Sequence, residues 1–183
     1  SGNESHLIGL TYKHGGSHWG TWSRWRRRWV KCERQAIGFT VKRPDHWVFA
    51  GTQLQQGESF GAEDRLVGYE ADGIPPDWPD DAIERLAVTE RLTGWEMGGA
   101  GAIGLFRPLL RDGRRSAGEV FNVGTTDWAR VLTDSTAQSH DVVQQITRNV
   151  IRQYTGAQEL NVSQQKRPLH EAADAGGEAA LQT

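Results

Sequence analysis

The sequence predicts an α/β domain built from short strands, with one long helix towards its C-terminal end. Its 183 residues include 22 glycines and 8 tryptophans, a composition typical of many short elements joined by tight turns. Apolar residues recur at helical spacing over only one long stretch, which ends near Gly156. Because 37% of the residues are hydrophobic, the chain can bury the core of one globular domain.

Two short apolar runs in the first half of the chain predict strands that end in turns. The first run covers residues 46–50 and is followed by Gly51, and the second covers residues 66–70 and is followed by the Asp72-Gly73 turn. The next segment contains three prolines within residues 75–79, which predicts a surface loop.

The middle of the chain predicts a strand and then a hairpin. Apolar and polar residues alternate over 85–92, which favours a strand, although the same residues could begin a helix. Residues 102–110 and 118–123 flank the dipeptide Asp112-Gly113, the strongest short-range signal for a β-hairpin.

Two helices are predicted after the hairpin. Thr125 and Thr126 can cap a short helix that continues through Asp127 and Trp128. A long amphipathic helix follows, with Ser139 as its N-cap and Gly156 as its C-terminal stop. Its predicted apolar face consists of Val142, Val143, Ile146, Val150, Ile151 and Tyr154.

We make separate predictions for the two ends of the chain. Because the sequence begins without methionine, we expect it to be a piece of a longer polypeptide that continues upstream of Ser1. Residues 1–157 are expected to form the domain, and residues 158–183, which are small and polar, a disordered tail.

Composition also argues against several classes of protein, including nucleic-acid binders, disulfide-stabilised domains and membrane-spanning proteins. Lys and Arg total 21 and Asp and Glu total 23, so the formal net charge of -2 argues against nucleic acid as a partner. The single cysteine, Cys32, excludes an intrachain disulfide framework. No apolar stretch is long enough for a membrane span and the polar start is no signal peptide, so a cytoplasmic protein is expected.

Arginines and tryptophans alternate near the N-terminus. The tryptophans are spaced three, three and four residues apart, which would place them on one face of a helix. A pair of strands with outward arginines is the alternative. These tryptophans are Trp19, Trp22, Trp25 and Trp29.

Glu70 is the carboxylate with the most suggestive setting. It ends an apolar run beside Tyr69, and a carboxylate with a phenol offers hard oxygen donors that suit iron or another hard cation. The alternative is a solvent-facing glutamate at the end of a strand. Asp127 is interpreted as a carboxylate at the start of a helix.

Several stretches together resemble the C-terminal domain of the N,N-dimethylformamidase large (beta) subunit family. They follow the family's order and approximate spacing, and the opening Gly2-Asn3 resembles a turn of that domain. The stretches are residues 45–52 with Gly57 after them, 66–73, 118–128 and 146–150. The resemblance implies a layered, glutamine-amidotransferase-like (flavodoxin-like) α/β domain, with this chain as its later, strand-rich half ending in a C-terminal helix.

The resemblance also implies an activity. The enzyme of that name hydrolyses a tertiary formamide to an amine and formate with an iron held by two tyrosines and a glutamate. Glu70 matches the glutamate, and His6 stands where a tyrosine follows the Gly-Asn turn. We therefore expect Glu70 and His6 to be iron ligands and Tyr69 to position an amide substrate.

The sequence thus predicts part of a metal-dependent amide hydrolase, in which the metal polarises the carbonyl and activates water. The expected partners are a small-molecule amide, the upstream remainder of the polypeptide and, in a homo-oligomer, further copies of the chain. The alternative is a non-catalytic module that binds a small molecule or carbohydrate, or assembles a larger protein, through its tryptophans.

Overall fold

Short strands and helices alternate along the chain in the computed structural model, which describes residues 4–16, 22–25, 28–31, 36–67, 70–75, 78, 82–89, 100–110 and 112–156. The strands are β1 (Thr11–Gly16), β2 (Trp22–Trp25), β3 (Arg28–Lys31), β4 (Phe39–Val41), β5 (Ser59–Phe60), β6 (Ala71–Gly73), β7 (Ile83–Val88), β8 (Ala102–Phe106) and β9 (Val120–Asn122). The helices are α1 (Glu4–Ile8), a 3₁₀ helix η1 (Trp47–Phe49), α2 (Trp128–Thr133) and α3 (His140–Thr155).

The main sheet has five strands in the order β5-β4-β7-β8-β9. Separate pairs are formed by β1 with β6 and by β2 with β3, and every pair within the described residues is antiparallel. Helices combined with a sheet confirm the α/β prediction. A flavodoxin-like layer requires parallel strands, and the described residues contain none, so they give no support to that finer arrangement.

The strand β8 is buried on both faces because the sheet separates two hydrophobic clusters. Ile103 and Leu105 face the main core, which also receives α2, α3 and η1. Ala102 and Phe106, which alternate with them along the strand, face a smaller cluster. Fully buried members of the main core include Phe39, Val41, Val48, Leu66, Val67, Leu86, Val131, Val143 and Ile146.

The predicted long helix is confirmed as α3. Ser139 is its N-cap residue and Gly156 ends it with a left-handed φ of 65°. Ser139 makes no side-chain cap bond; instead the Asp64 carboxylate accepts the backbone N–H groups of Gln138 at 3.1 Å and Ser139 at 2.7 Å. Among the described residues, no helix combines the length and apolar character that a bilayer crossing requires.

Three further elements agree with the sequence predictions. The strand predicted at 85–92 is present as β7, which begins two residues earlier and ends at Val88, while residues 90–92 lie outside the described part of the chain. The hairpin around Asp112-Gly113 is the pair β8–β9, and the short helix is α2. Asp127 is the N-cap residue of α2, as expected for a carboxylate at a helix start. The threonines do not cap α2; Thr125 Oγ1 accepts the Asp127 N–H at 3.2 Å instead.

The strand predicted at residues 46–50 is wrong, because η1 lies there. His46 Nδ1 accepts the Val48 N–H at 3.3 Å and so caps the first turn. The Asn149 amide of α3 then donates to the carbonyls of Val48 and Ala50 at 2.9 and 2.8 Å. These bonds satisfy backbone groups that a strand would have paired with a neighbour.

The strand predicted at residues 66–70 is also wrong. Residues 62–67 form turns, with the Leu66 N–H donating to the Gly61 carbonyl at 2.8 Å. The strand comes later, at β6, where a turn was predicted. Gly73 fits there because a Cβ would lie 2.1 Å from the carbonyl oxygen of His14.

The helical face predicted for the tryptophans is wrong, because Trp22, Trp25 and Trp29 lie in strands. β2 and β3 pair in register, with Trp22 opposite Lys31 and Trp25 opposite Arg28. The alternative of a strand pair is therefore the observed one. Trp19, Cys32 and the predicted tail at 158–183 lie outside the described residues.

We expect Asp64→Ala to lower the free energy of unfolding by about 1–2 kcal/mol, because two backbone N–H groups before α3 lose their acceptor. Chemical denaturation measures the change. The matched control is Glu63→Ala, which removes an exposed neighbouring carboxylate. Equal losses in the two variants would contradict a capping role for Asp64.

We expect the protein to lose stability as the pH falls below about 6.5, in part through His46. Burial is the main reason that the pKa of His46 is lowered from 6.5. The carboxylates of Glu84 and Glu119 raise this pKa and the nearby charge of Arg43 lowers it, with a net lowering. The unfolded chain therefore takes up this proton first on acidification, which favours unfolding. His46→Asn keeps a cap acceptor without titrating, so its unfolding free energy should vary less between about pH 5 and 7. Identical pH profiles for the two proteins would contradict this assignment.

Candidate functional site

Glu70 lies half-buried immediately before β6. Its backbone carbonyl accepts the Thr126 N–H at 3.2 Å, and the next residue, Ala71, bridges to Thr125. Among the residues that the structure describes, none forms a hydrogen bond or ion pair with the Glu70 carboxylate. The backbone of Glu70 is therefore fixed, while its carboxylate has no hydrogen-bond or ion-pair partner among the described residues.

The segment that follows β9 fixes the backbone around Glu70. Thr125 Oγ1 donates to the carbonyl of Leu66 at 2.7 Å and accepts the Asp127 N–H. The N–H of Asp72 donates to the Gly124 carbonyl at 2.9 Å. The beginning of β6 is thus bonded to residues 124–126 on both sides of Ala71.

An ion pair between the buried Asp127 and the half-buried Arg130 lies next to this segment. Asp127 is 4% exposed, and its Oδ1 accepts from Nε of Arg130 at 2.8 Å. Arg130 also donates through Nη2 to the carbonyls of Asp64 at 2.5 Å and Arg65 at 3.3 Å. This arginine, which the sequence analysis did not single out, neutralises Asp127 and ties α2 to the turn at 62–67. In the sequence, this ion pair was indicated only by the spacing of three residues between Asp127 and Arg130.

His6 lies in a different part of the molecule. Its exposed ring is 5.8 Å from the Trp78 ring at an angle of 47°, and Trp78 stacks on Phe106 at 5.2 Å. His6 therefore packs on the smaller hydrophobic cluster, on the other face of β8 from the main core.

The antiparallel register of β1 and β6 separates His6 from Glu70. Thr11 is opposite Gly73, and Gly16 is opposite Ala71. His6 precedes the Thr11 end of β1, whereas Glu70 precedes the Ala71 end of β6. The two side chains thus belong to opposite ends of this strand pair, and the structure does not bring them together.

The expected iron ligands can be compared with these positions. An iron site needs several ligands that converge on one point, and the described residues contain no group of three or more His, Cys, Asp or Glu side chains arranged in this way. Glu70 fits as a single hard oxygen ligand, but His6 does not share its location. Tyr69 lies outside the described residues, so its predicted role stays a prediction.

A comparison with known families gives one match. The family model described as N,N-dimethylformamidase beta subunit-like, C-terminal, matches residues 1–142 of the 183-residue chain. This match confirms the resemblance inferred from residues 45–52, 66–73 and 118–128. No curated protein and no solved structure matches the chain.

We expect Thr125→Val to lower the free energy of unfolding by about 1–3 kcal/mol, because the Leu66 carbonyl and the Asp127 N–H each lose a partner. Thr125→Ser keeps the hydroxyl and should be close to wild type. Denaturation of the two variants measures the difference. A stable Thr125→Val protein would show that the backbone before Glu70 is held without this hydroxyl.

Proposed function

The chain belongs to the N,N-dimethylformamidase beta subunit-like C-terminal family, and from this membership we propose that it forms part of a metal-dependent amide hydrolase. The reaction is the hydrolysis of the C–N bond of a small linear amide, which gives an amine and a carboxylate. A resident metal, with iron as our proposal, would supply Lewis acidity for this chemistry. Family membership supports the reaction class, and the residues around Glu70 support the position of the site.

The observation that carries this proposal is the setting of Glu70. Transfer of a carboxylate away from water costs free energy unless the charge gains a partner. Glu70 is half-buried, and its carboxylate has no partner within the described residues. A cation held at this position would offset that cost, and a carboxylate oxygen is a ligand that hard metal ions prefer.

The remaining ligands would come from outside the described residues. Tyr69 precedes Glu70 directly and is the nearest oxygen donor along the chain. Other donors would come from the upstream part of a longer polypeptide, to which we also assign the glutamine-amidotransferase-like layering. His6, which packs on Trp78, would then contribute to the packing of α1 and not to the metal site.

A non-catalytic binding or assembly module is the second candidate function. The observation that favours it is a set of large apolar side chains that are 42–65% exposed. They are Leu7, Leu109, Leu110, Ile151 and Tyr154. Contiguous apolar surface is common where a domain contacts a partner, and within this set Leu109 adjoins Leu110 while Ile151 and Tyr154 are three residues apart on α3.

We expect Glu70→Gln to lose metal and amide hydrolysis together in the full-length protein, because an amide oxygen is a weaker ligand than a carboxylate. Elemental analysis of the untagged protein should find roughly stoichiometric iron in the wild type. The matched control is Glu63→Gln, which removes an exposed carboxylate and should change neither quantity.

Two results would contradict the proposal. The first is a Glu70→Gln protein that keeps hydrolytic activity without metal. The second is a full-length wild-type protein that is folded and binds no metal, which would favour the binding or assembly module. Unchanged unfolding of Glu70→Gln would show that either loss is local to the site.

A further inference from the structure

A shallow surface pocket of about 310 Å³ opens where η1 meets the end of α3. Its volume lies at the lower end of the range of about 300–1,000 Å³ that is usual for small-molecule sites. It combines one aromatic ring with amide and guanidinium groups. The lining residues are Trp47, Asn149, Arg152, Gln153 and Gly156.

The floor of the pocket is held rigidly. Both amide hydrogens of Asn149 are used in bonds to the carbonyls of Val48 and Ala50, at 2.9 and 2.8 Å. The Asn149 Oδ1 atom accepts from Gln145 at 2.9 Å. Because these bonds hold η1 against α3, the pocket is formed before a ligand binds. A preformed pocket reduces the entropy lost on binding.

Neighbouring rings orient the indole of Trp47. The Tyr154 ring meets it edge-on at 6.2 Å and 76°, and the His46 ring is 5.1 Å away on a tilt of 41°. The Tyr154 hydroxyl donates to Glu119 at 3.1 Å, and burial, with Glu119 second, raises the pKa of Tyr154 to about 12. The phenol is therefore neutral at physiological pH and keeps this bond, so the aromatic wall stays in place.

The charges around the pocket favour a neutral ligand. The end of α3 carries the partial negative charge of the helix dipole. The cationic side chain of Arg152 lies on the same rim and opposes it. Because the rim carries charge of both signs, charge alone does not select an anion or a cation, whereas an uncharged polyol can use both donors and acceptors.

From the residues that line the pocket, we propose that it binds a neutral carbohydrate, with one pyranose ring stacked on the indole of Trp47. The face of an indole is electron-rich, and the axial C–H groups of a pyranose carry partial positive charge. The exposed Gln153 amide lies on the rim and can both donate to and accept from sugar hydroxyls. This site is separate from Glu70 and does not depend on the hydrolase proposal.

The test is calorimetric titration of the full-length protein with cellotetraose, maltotetraose and xylotetraose. At least one should bind saturably, Trp47→Ala should weaken it by about tenfold or more, and Gln153→Ala should weaken it by about threefold. The sugar affinity of Trp47→Phe, which keeps a smaller ring, should lie between those of Trp47→Ala and wild type. This variant replaces Trp47→Ala in the test if the alanine variant does not fold. Glu70→Gln should bind as wild type, which separates this test from the hydrolase test.

Trp78→Phe is the matched control, because Trp78 is also half-buried but packs on the other cluster. Its sugar affinity should equal that of wild type. The proposal is overturned if none of the three sugars binds, or if the folded Trp47 variants bind as wild type. It is also overturned if indole-3-acetate or tetramethylammonium binds in place of the sugars, because the pocket would then select a charged ligand.

Discussion

The fold depends on the way one turn, residues 62–67, is tied to the two C-terminal helices. Arg130 of α2 donates to two backbone carbonyls of this turn while it pairs with the buried carboxylate at the start of its own helix. The Asp64 carboxylate of the turn accepts the N–H groups that precede α3. Because the turn is held from both sides, Leu66 and Val67 enter the core fully buried. The backbone of Glu70 is held by Thr126, which lies two residues before α2.

The surface around Glu70 and the surface around Trp47 depend on the fold in different ways. At Glu70 the backbone makes the structural bonds, and the carboxylate makes none within the described residues. At Trp47 the ring is itself part of the packing against Tyr154. The first surface can therefore be altered with little structural effect, whereas the second is partly built from the core.

Local signals were enough for some elements. The long helix was predicted from its apolar spacing with Gly156 at its end, and the hairpin from Asp112-Gly113, because a helix stop and a tight turn are properties of neighbouring residues. The strands predicted at 46–50 and 66–70 failed because distant groups decide these segments. Asn149 bonds the carbonyl of Val48 across 101 positions in sequence. Likewise, the sequence neighbours of Glu70 made it a candidate ligand, but its separation from the predicted partner histidine follows from an antiparallel register that no local pattern reveals.

The packing of α1 bears on how a site at Glu70 can be completed. Gly9, which follows α1, has a φ of 83°, and a Cβ there would lie 2.5 Å from the side chain of Phe106. Only glycine fits such a close approach at that φ, so the chain directly after α1 is held against Phe106 of β8. Movement of His6 towards Glu70 would separate its ring from Trp78. A metal site at Glu70, as proposed above, would then take its other ligands from residues that can reach it without moving α1, and Tyr69 is the nearest oxygen donor along the chain.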